Sequence, residues 1–589
     1  MPLTITPERD ARWEVRKIAV VGPGIVGMPM AALLASSRIC EGSDTPARVV
    51  VVQRNSPTSG WKVAAINEGR SVIGGIEPGL QEIVAAGVAS GLLSATHDYA
   101  DVADADLILV SVQTDKRGFG PDYGPLFESL EGLALALRHK PAANVPVIVF
   151  ESTLAPSSMA TVVRTHFEKH GLLEGRDILL GNSPNRVMPG RLVERVAASD
   201  KLVAGLDPLT PDLIARIYRR IVSKGTLHRT NSMTAEFVKT LENAYRDVRI
   251  AFAAELARQC DALDIDFYAL RESVNRQLHQ SDDAAASATA VPSGAILIPA
   301  VGVGGHCLPK DGILLWWRRH ESGADTRRSL ILGARQINDE SPAQTIALAE
   351  RAFGPIAGKR VALMGTAYRF DSEDTRNSPT LALARLLIDM GCSVRLHDPY
   401  VKPDDQNLQR RDLASHFTND AAIALGDAQI AVFCVGHRVY ADGLGAMLRA
   451  APALEGLVDG GNVFRPAALD AVARHVDASQ SADGTADAGT GLRWCGIGRG
   501  RKAPPAGFDA FVIRSFANVE RGVANELVEL IDFLNERYAS DAFNRVTIDT
   551  VRELAGSCVT GCAIAAPGPV SEVPRFDGFA FRLAAMAAR

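Results

Sequence analysis

Short apolar runs open the chain and then recur: RKIAVV at 16–21, ARVVVVQ at 47–53, ADLILVSV at 105–112 and VPVIVFES at 145–152. Each is about strand length, apolar on both faces and closed by polar residues, the pattern of strands buried in a parallel sheet. Between them the apolar positions take helical spacing, as in GIVGMPMAALLASS after the first run. Residues 234–263, TAEFVKTLENAYRDVRIAFAAELARQCDAL, keep that spacing without glycine or proline and predict one long helix with Phe237, Leu241, Val248 and Phe252 on its apolar stripe. A second strand and helix alternation starts at GKRVALMGTAY (358–368), runs through AQIAVFCVG (428–436) and ends at LVDGGNVF (457–464).

The predicted fold class is therefore α/β: two Rossmann-like doubly wound parallel-sheet domains joined by a long central helix, plus a small C-terminal extension. The expected boundaries are a dinucleotide-binding domain at 1–225, a central helical segment at 226–338, a second Rossmann-like domain at 339–476, a linker at 477–507 and an extension at 508–589. The polar stretch 280–294 reads as a loop, and the composition of 477–507, rich in Gly, Ala, Ser, Asp and Pro, as a linker. The extension carries an amphipathic helix at GVANELVELIDFLNERY (522–538) and no legible chemistry. Because two sheet domains do not readily cover the stripe of the long helix, a homodimer or a dimer of dimers is expected.

The chemistry begins at the turn after the first strand. Gly22, Gly24 and Gly27, with Ile25 and Val26 between them, stand where a strand turns into a helix, the context in which glycines admit a pyrophosphate to helix N-terminal amides. The second strand ends in Gln53-Arg54-Asn55 instead of an acidic residue. Arg54 suits a ribose 2′-phosphate and its neighbours suit the free hydroxyls, so these residues alone leave NAD and NADP both open. The turn at Gly365 lacks the full fingerprint, which argues for a mononucleotide in the second domain rather than another dinucleotide.

VGVGGHCLPKDG at 301–312 puts Cys307 on a glycine loop beside His306, Lys310 and Asp311. Small residues and nearby charges suit a reactive thiol better than a structural one. The eight cysteines show no zinc or disulfide spacing, Cys558 and Cys562 being the only close pair. With a net charge of −5, no apolar signal core at the N-terminus and no apolar run of spanning length, the expectation is a cytoplasmic protein with neither nucleic acid nor membrane as partner.

The fingerprint, ESTLAPSS, LENAYRDVRIAFAAELA, GVGGHCLPKD and GTAYRFDSEDTRNSP stand in an order that resembles the UDP-glucose/GDP-mannose dehydrogenases, over about residues 16–470. ENAYRDVRIAFAAE and PNRVMPG are most similar to the branch oxidising UDP-N-acetylhexosamines. The resemblance implies an NAD-binding domain (NADP not excluded), a dimer-forming central helix, a domain for the nucleotide of a UDP-sugar, and oxidation of a primary alcohol to a carboxylate in two hydride transfers.

By motif position it implies Cys307 as the nucleophile, Lys239 as the catalytic lysine, Asn243 and Asp311 as its companions, and Thr114 and Thr153 near the nicotinamide. It also implies substrate contacts at Asn185, Arg246, Gly304, Gly305, Arg369 and Arg376. Two departures stand out: Asn185 replaces a glutamate, which raises Glu151 as a possible substitute base, and Arg369 replaces a lysine. The alternatives are a UDP-glucose or GDP-mannose dehydrogenase, a two-electron hydroxyacid dehydrogenase that would need neither Cys307 nor the second nucleotide domain, and a catalytically idle nucleotide-sugar-binding protein.

Overall fold

The computed structural model describes residues 13–74, 77–140, 145–186, 190–279, 295–471, 492–557 and 562–589. The expected loop at 280–294, residues 187–189 of PNRVMPG, Cys558 and the linker up to residue 491 lie outside them. The chain forms two compact units. The first comprises Met1–Asn243, Ile313–Ala324 and Asn525–Ala565, and the second Ala244–Gly312, Asp325–Ala524 and Ala566–Arg589.

The first unit is built on an eight-stranded sheet of β1 (Lys17–Val21), β2 (Arg48–Val52), β3 (Leu93–Thr96), β4 (Leu107–Val110), β5 (Val147–Phe150), β6 (Leu179–Asn182), β7 (Lys201–Gly205) and β8 (Leu227–Asn231), in the order β8-β7-β6-β5-β4-β1-β2-β3. Only β6 and β7 pair antiparallel. Residues of β1 alternate between two cores, Ile18 and Val20 on one face, Ala19 and Val21 on the other. That two-sided burial is why the strands read as unbroken apolar runs. On these faces lie α1 (Gly27–Ser36), α2 (Gly124–Leu137), α3 (Arg164–Lys169) and α4 (Thr210–Tyr218). Strand β8 extends the sheet past the expected boundary at 225.

The long helix is α5, Ser232–Leu263. The Asn231 side chain caps it by accepting from the Thr234 amide at 2.8 Å, and it ends where Asp264 turns left-handed at φ 59° and the Ile265 amide bonds back to the Cys260 carbonyl at 2.8 Å. Then come α6 (Leu308–Glu321) and α7 (Leu330–Asp339).

The second unit holds a six-stranded parallel sheet of β9 (Arg360–Met364), β10 (Ser393–His397), β11 (Phe417–Thr418), β12 (Ile430–Phe433), β13 (Gly456–Asp459) and β14 (Arg493–Gly496), in the order β11-β10-β9-β12-β13-β14. Strand β14 corrects the linker expectation for 477–507, because Arg493 to Gly496 pair with Gly456 to Asp459 and Trp494 donates to Asp470 at 3.0 Å. A four-residue strand in a glycine-rich setting has no periodicity of its own; its partner, some 35 residues earlier, creates it.

The chain ends with α8 (Phe508–Tyr538), α9 (Ile548–Gly556) and α10 (Arg582–Ala587). Part of the stripe of α5 is covered from within the chain. Within the second unit Phe252 of α5 packs on Phe516 of α8 at 5.3 Å and on Phe581, just before α10, at 5.0 Å between ring centroids. Glu255 receives the amides of Arg582 and Leu583, the latter at 3.2 Å. Phe237, Leu241, Val248 and Phe252 are all buried within the single chain. Among the described residues, no helix is long and apolar enough to cross a membrane.

Candidate active-site segments

In the first unit the glycine turn has the shape a dinucleotide needs. Gly22 leaves β1 at φ +90°, with its amide on the Val52 carbonyl at 2.9 Å. A Cβ at Gly27 would fall on the Gly22 carbonyl, whereas one at Gly24 would meet nothing within 4 Å. The turn is thus closed on the helix side and open on the outer side. There Gly24, Ile25 and Val26 are half-buried at the start of α1, and these residues fit a pyrophosphate held by amides. Arg54, beyond β2, is exposed and pairs with the equally exposed Glu128 at 2.6 Å.

The ends of β4 and β5 are joined. Thr114 is buried and donates from Oγ1 to the Thr153 carbonyl at 2.7 Å, while Ser152 donates to the Val112 carbonyl at 2.6 Å. Beside them Glu151 sits at the centre of a buried cluster. Lys201 of β7 lies 2.8 Å from its Oε2, and the Tyr218 hydroxyl and Asn185 side-chain amide both donate to it. Burial pushes the carboxyl up and the Lys201 ammonium down, and their mutual attraction opposes both shifts. Asn185 is therefore a donor to Glu151.

The segment after Asn185 is anchored as well. Arg186 forms a buried ion pair with Glu242 at 2.7 Å and donates to the Leu554 carbonyl at 3.0 Å and Ser557 Oγ at 3.1 Å near the end of α9. Lys239, buried, and Asn243, half-buried, stand one turn apart on α5.

In the second unit the Cys307 loop is fastened to the segment after β9. Gly305, at φ +86°, donates to the Arg376 carbonyl at 2.8 Å, and its own carbonyl accepts from the Asn377 side chain at 2.9 Å. A Cβ on Gly304 would collide with the Tyr368 side chain, and one on Gly305 would lie 3.0 Å from the Tyr368 ring. These two glycines let the loop lie flat against Tyr368. Cys307 follows, exposed, its carbonyl accepting the Asp311 amide at 2.9 Å as α6 begins. The thiol thus sits at a helix start, close enough to Arg376 and Tyr368 for its charge to act on both. Asp311 is fully buried, 3.2 Å from Lys310.

Arg376 presents one guanidinium edge to Asp374 in two bonds, 2.9 and 2.6 Å. Arg369 is half-buried beside the Phe370 ring, 5.6 Å from its centroid, and Arg246 is half-buried on α5. At the turn after β9, buried Asp398 accepts the Thr366 and Ala367 amides at 2.8 and 2.9 Å. A carboxylate of the protein meets the donors that a second dinucleotide would need.

Of the predicted residues the first unit holds Gly22, Gly24, Ile25, Val26, Gly27, Arg54, Thr114, Glu151, Thr153, Asn185, Lys239 and Asn243, and the second holds Arg246, Gly304, Gly305, Cys307, Asp311, Arg369 and Arg376. Within them the structure joins Thr114 to Thr153, Glu151 to Asn185, and Gly305 to Arg376. Sequence reasoning missed Lys201, Tyr218, Tyr368 and Asn377. Tyr368 and Asn377 stood inside a quoted motif, whereas Lys201 and Tyr218 carried no local signal.

Comparison with known proteins covers the coenzyme turn, the thiol loop and the nucleotide domain. Residues 16–222 match the NAD binding domain of the UDP-glucose/GDP-mannose dehydrogenase family, 233–340 its central domain and 362–466 its UDP binding domain. UDP-N-acetyl-D-mannosamine dehydrogenase of Pyrococcus horikoshii is 31% identical over 399 residues, 67% of this chain and 86% of that protein. NDP-N-acetyl-D-galactosaminuronic acid dehydrogenase of Ralstonia solanacearum is 29% identical over 445 residues, 74% of this chain and 93% of its own. The crystal structure of an NDP-N-acetyl-D-galactosaminuronic acid dehydrogenase from Methanosarcina mazei Go1 superposes with a TM-score of 0.66 at 29% identity, covering 83% of this chain and 97% of that one. With the coenzyme turn, the thiol loop and the nucleotide domain each in place and each matched in order, the chain belongs to the UDP-glucose/GDP-mannose dehydrogenase family.

Proposed function

We propose that this NAD-dependent dehydrogenase oxidises the 6-hydroxymethyl group of a UDP-N-acetylhexosamine to the uronate. The observation that carries the reading is the glycine loop, tied to Arg376 and Asn377, that presents an exposed Cys307 at the start of α6. A two-electron alcohol dehydrogenase has no use for such a thiol. The hexosamine follows the names of the two relatives above and the phrasing of α5.

The Gly22 to Gly27 turn would hold NAD, which would supply the hydride acceptor. The primary alcohol, two NAD and one water give a carboxylate, two NADH and three protons. After the first oxidation the Cys307 thiolate adds to the aldehyde carbon, and the new C–S bond makes a thiohemiacetal. Lys239 steadies the negative oxygen at that carbon, with Asn243 donating beside it. Loss of the second hydride leaves a thioester on Cys307. Water, its proton taken by Asp311, adds to the thioester carbon; the C–S bond breaks, and the carboxylate and the thiolate part. Thr114 and Thr153 would shape the nicotinamide end, and Arg246, Arg369 and Arg376 would supply positive charge for the diphosphate of the sugar nucleotide, while Gly304 and Gly305 seat the thiol loop against Tyr368. Glu151, engaged by a cation and two further donors, orders the segment carrying Asn185 rather than serving as base.

The assembly expected is a homodimer or a dimer of dimers, with α8 and the segment entering α10 covering Phe252 within each chain. Free thiols at all seven described cysteines suit the cytoplasm.

The test is a panel of UDP- and GDP-sugars with NAD, reading absorbance of the reduced coenzyme and product mass. Two NADH per UDP-N-acetylhexosamine are expected, with uronate formation lost in Cys307→Ser while sugar-nucleotide binding is retained. One NADH per sugar, or undiminished turnover of the serine variant, would remove the thiol from the chemistry.

A further inference from the structure

On the helical face of the first unit, among residues assigned no role above, three side chains converge. Glu131 projects from α2, His166 from α3, and His170 caps the end of α3. The two histidines are four residues apart, so their imidazoles share one side of the turn, the spacing by which a helix offers two nitrogens to one ion. His170 Nε2 lies 3.0 Å and His166 Nε2 3.8 Å from the same oxygen, Glu131 Oε2, and the three ligand atoms all fall within 4.8 Å of one another. Four-coordinate zinc with bonds of about 2.0–2.2 Å needs its ligands roughly 3.3–3.5 Å apart, so small side-chain rotations close the set.

The ring of His166 is prepared for such an ion. It bonds to the backbone of Leu130, an arrangement that holds the proton on one nitrogen and leaves the lone pair on the other. That other nitrogen, Nε2, is buried and has no hydrogen-bond partner. Phe127, 5.4 Å away, and Phe167, 6.1 Å away, give the ring an apolar wall that disfavours its protonation. His170 is fixed through its backbone, whose carbonyl accepts from Arg138 Nε at 2.7 Å. Glu131, half-exposed, leaves the outer side open for water as a fourth ligand.

We propose that Glu131, His166 and His170 bind one divalent transition-metal ion of the zinc class, which pins α2 to α3. Two neutral imidazoles and a carboxylate suit zinc or cobalt better than magnesium or calcium, which prefer oxygen. The site takes no part in the oxidation and does not rest on the substrate assigned above.

The experiment uses the full chain without a histidine tag, stripped with EDTA and titrated with cobalt(II) under reducing conditions. Visible bands of four-coordinate cobalt that saturate at one equivalent, and that zinc displaces, are expected. His166→Gln and His170→Gln should each lose the bands, and Glu131→Gln should weaken them, while circular dichroism and NAD binding stay as in the parent. No bands at saturating cobalt, or bands that persist in both histidine variants, would overturn the proposal. So would a near-ultraviolet thiolate-to-cobalt band in place of these, since it would put the ion on a cysteine.

Discussion

Replacing Lys201 or Glu151 one at a time should destabilise the first unit, with opposite dependence on pH. The two ends of this pair are 6% and 0% exposed and lie 2.8 Å apart. Removing one partner of a buried pair leaves the other charge without compensation, at a cost of about 3–5 kcal/mol. At 2–4 °C per kcal/mol this lowers the unfolding midpoint by roughly 6–20 °C.

In Lys201→Met the orphaned Glu151 rises further above its unfolded value. The folded state then binds more protons than the unfolded one, so stability is full below about pH 4.3 and is lost as the pH climbs through the folded value. In Glu151→Gln the orphaned Lys201 falls further below its unfolded value. Stability then rises with pH toward about 10.4. The double variant Glu151→Gln/Lys201→Met loses both slopes.

Thermal melts by circular dichroism between pH 5 and 9 read both slopes, and steady-state turnover is measured alongside. Single variants that melt within about 2 °C of the parent, or that share one sign of slope, would refute the picture of a coupled buried pair. A Glu151→Gln enzyme with unchanged stability but no thioester hydrolysis would refute it differently, by making Glu151 the base.

Gly27→Ala puts a methyl group onto the Gly22 carbonyl and should weaken NAD binding by about tenfold or more, read by fluorescence titration, while melting of the second unit is unaffected. Glu236 is buried and accepts the Ser157 and Met159 amides at 2.8 and 2.7 Å; burial raises its carboxyl from 4.5 to about 8. Its folded value lies above its unfolded one, so the stability it contributes is complete below pH 4.5 and is lost as pH rises through about 8. Glu236→Gln should flatten the stability profile across that window. Light scattering at micromolar concentration should return at least twice the chain mass of 62.8 kDa; a mass near 62.8 kDa would refute the expected dimer.

What the sequence by itself determined were the features written in adjacent residues. A strand buried on both faces must be apolar throughout, and a dinucleotide turn must be glycine where a carbonyl or a pyrophosphate comes close. Thus β1, β2, β4 and β5, the Gly22 to Gly27 turn and the uninterrupted α5 were all legible. The thiol loop was legible too, because its chemistry is carried by twelve consecutive residues.

Tertiary structure decided whatever depends on partners distant in the chain. Strand β14 exists because Gly456–Asp459 offers it a ladder; alone, RWCG has no preference strong enough to mark it. Asn185 looked like a lost base until its amide was seen to face Glu151, itself held by Lys201 and Tyr218 from 50 and 67 residues away. The stripe of α5 foretold burial correctly, but hydrophobic burial is non-directional: periodicity says that Phe252 must be covered and cannot say by what. Phe516 and Phe581, from an extension that looked inert, were the residues that covered it.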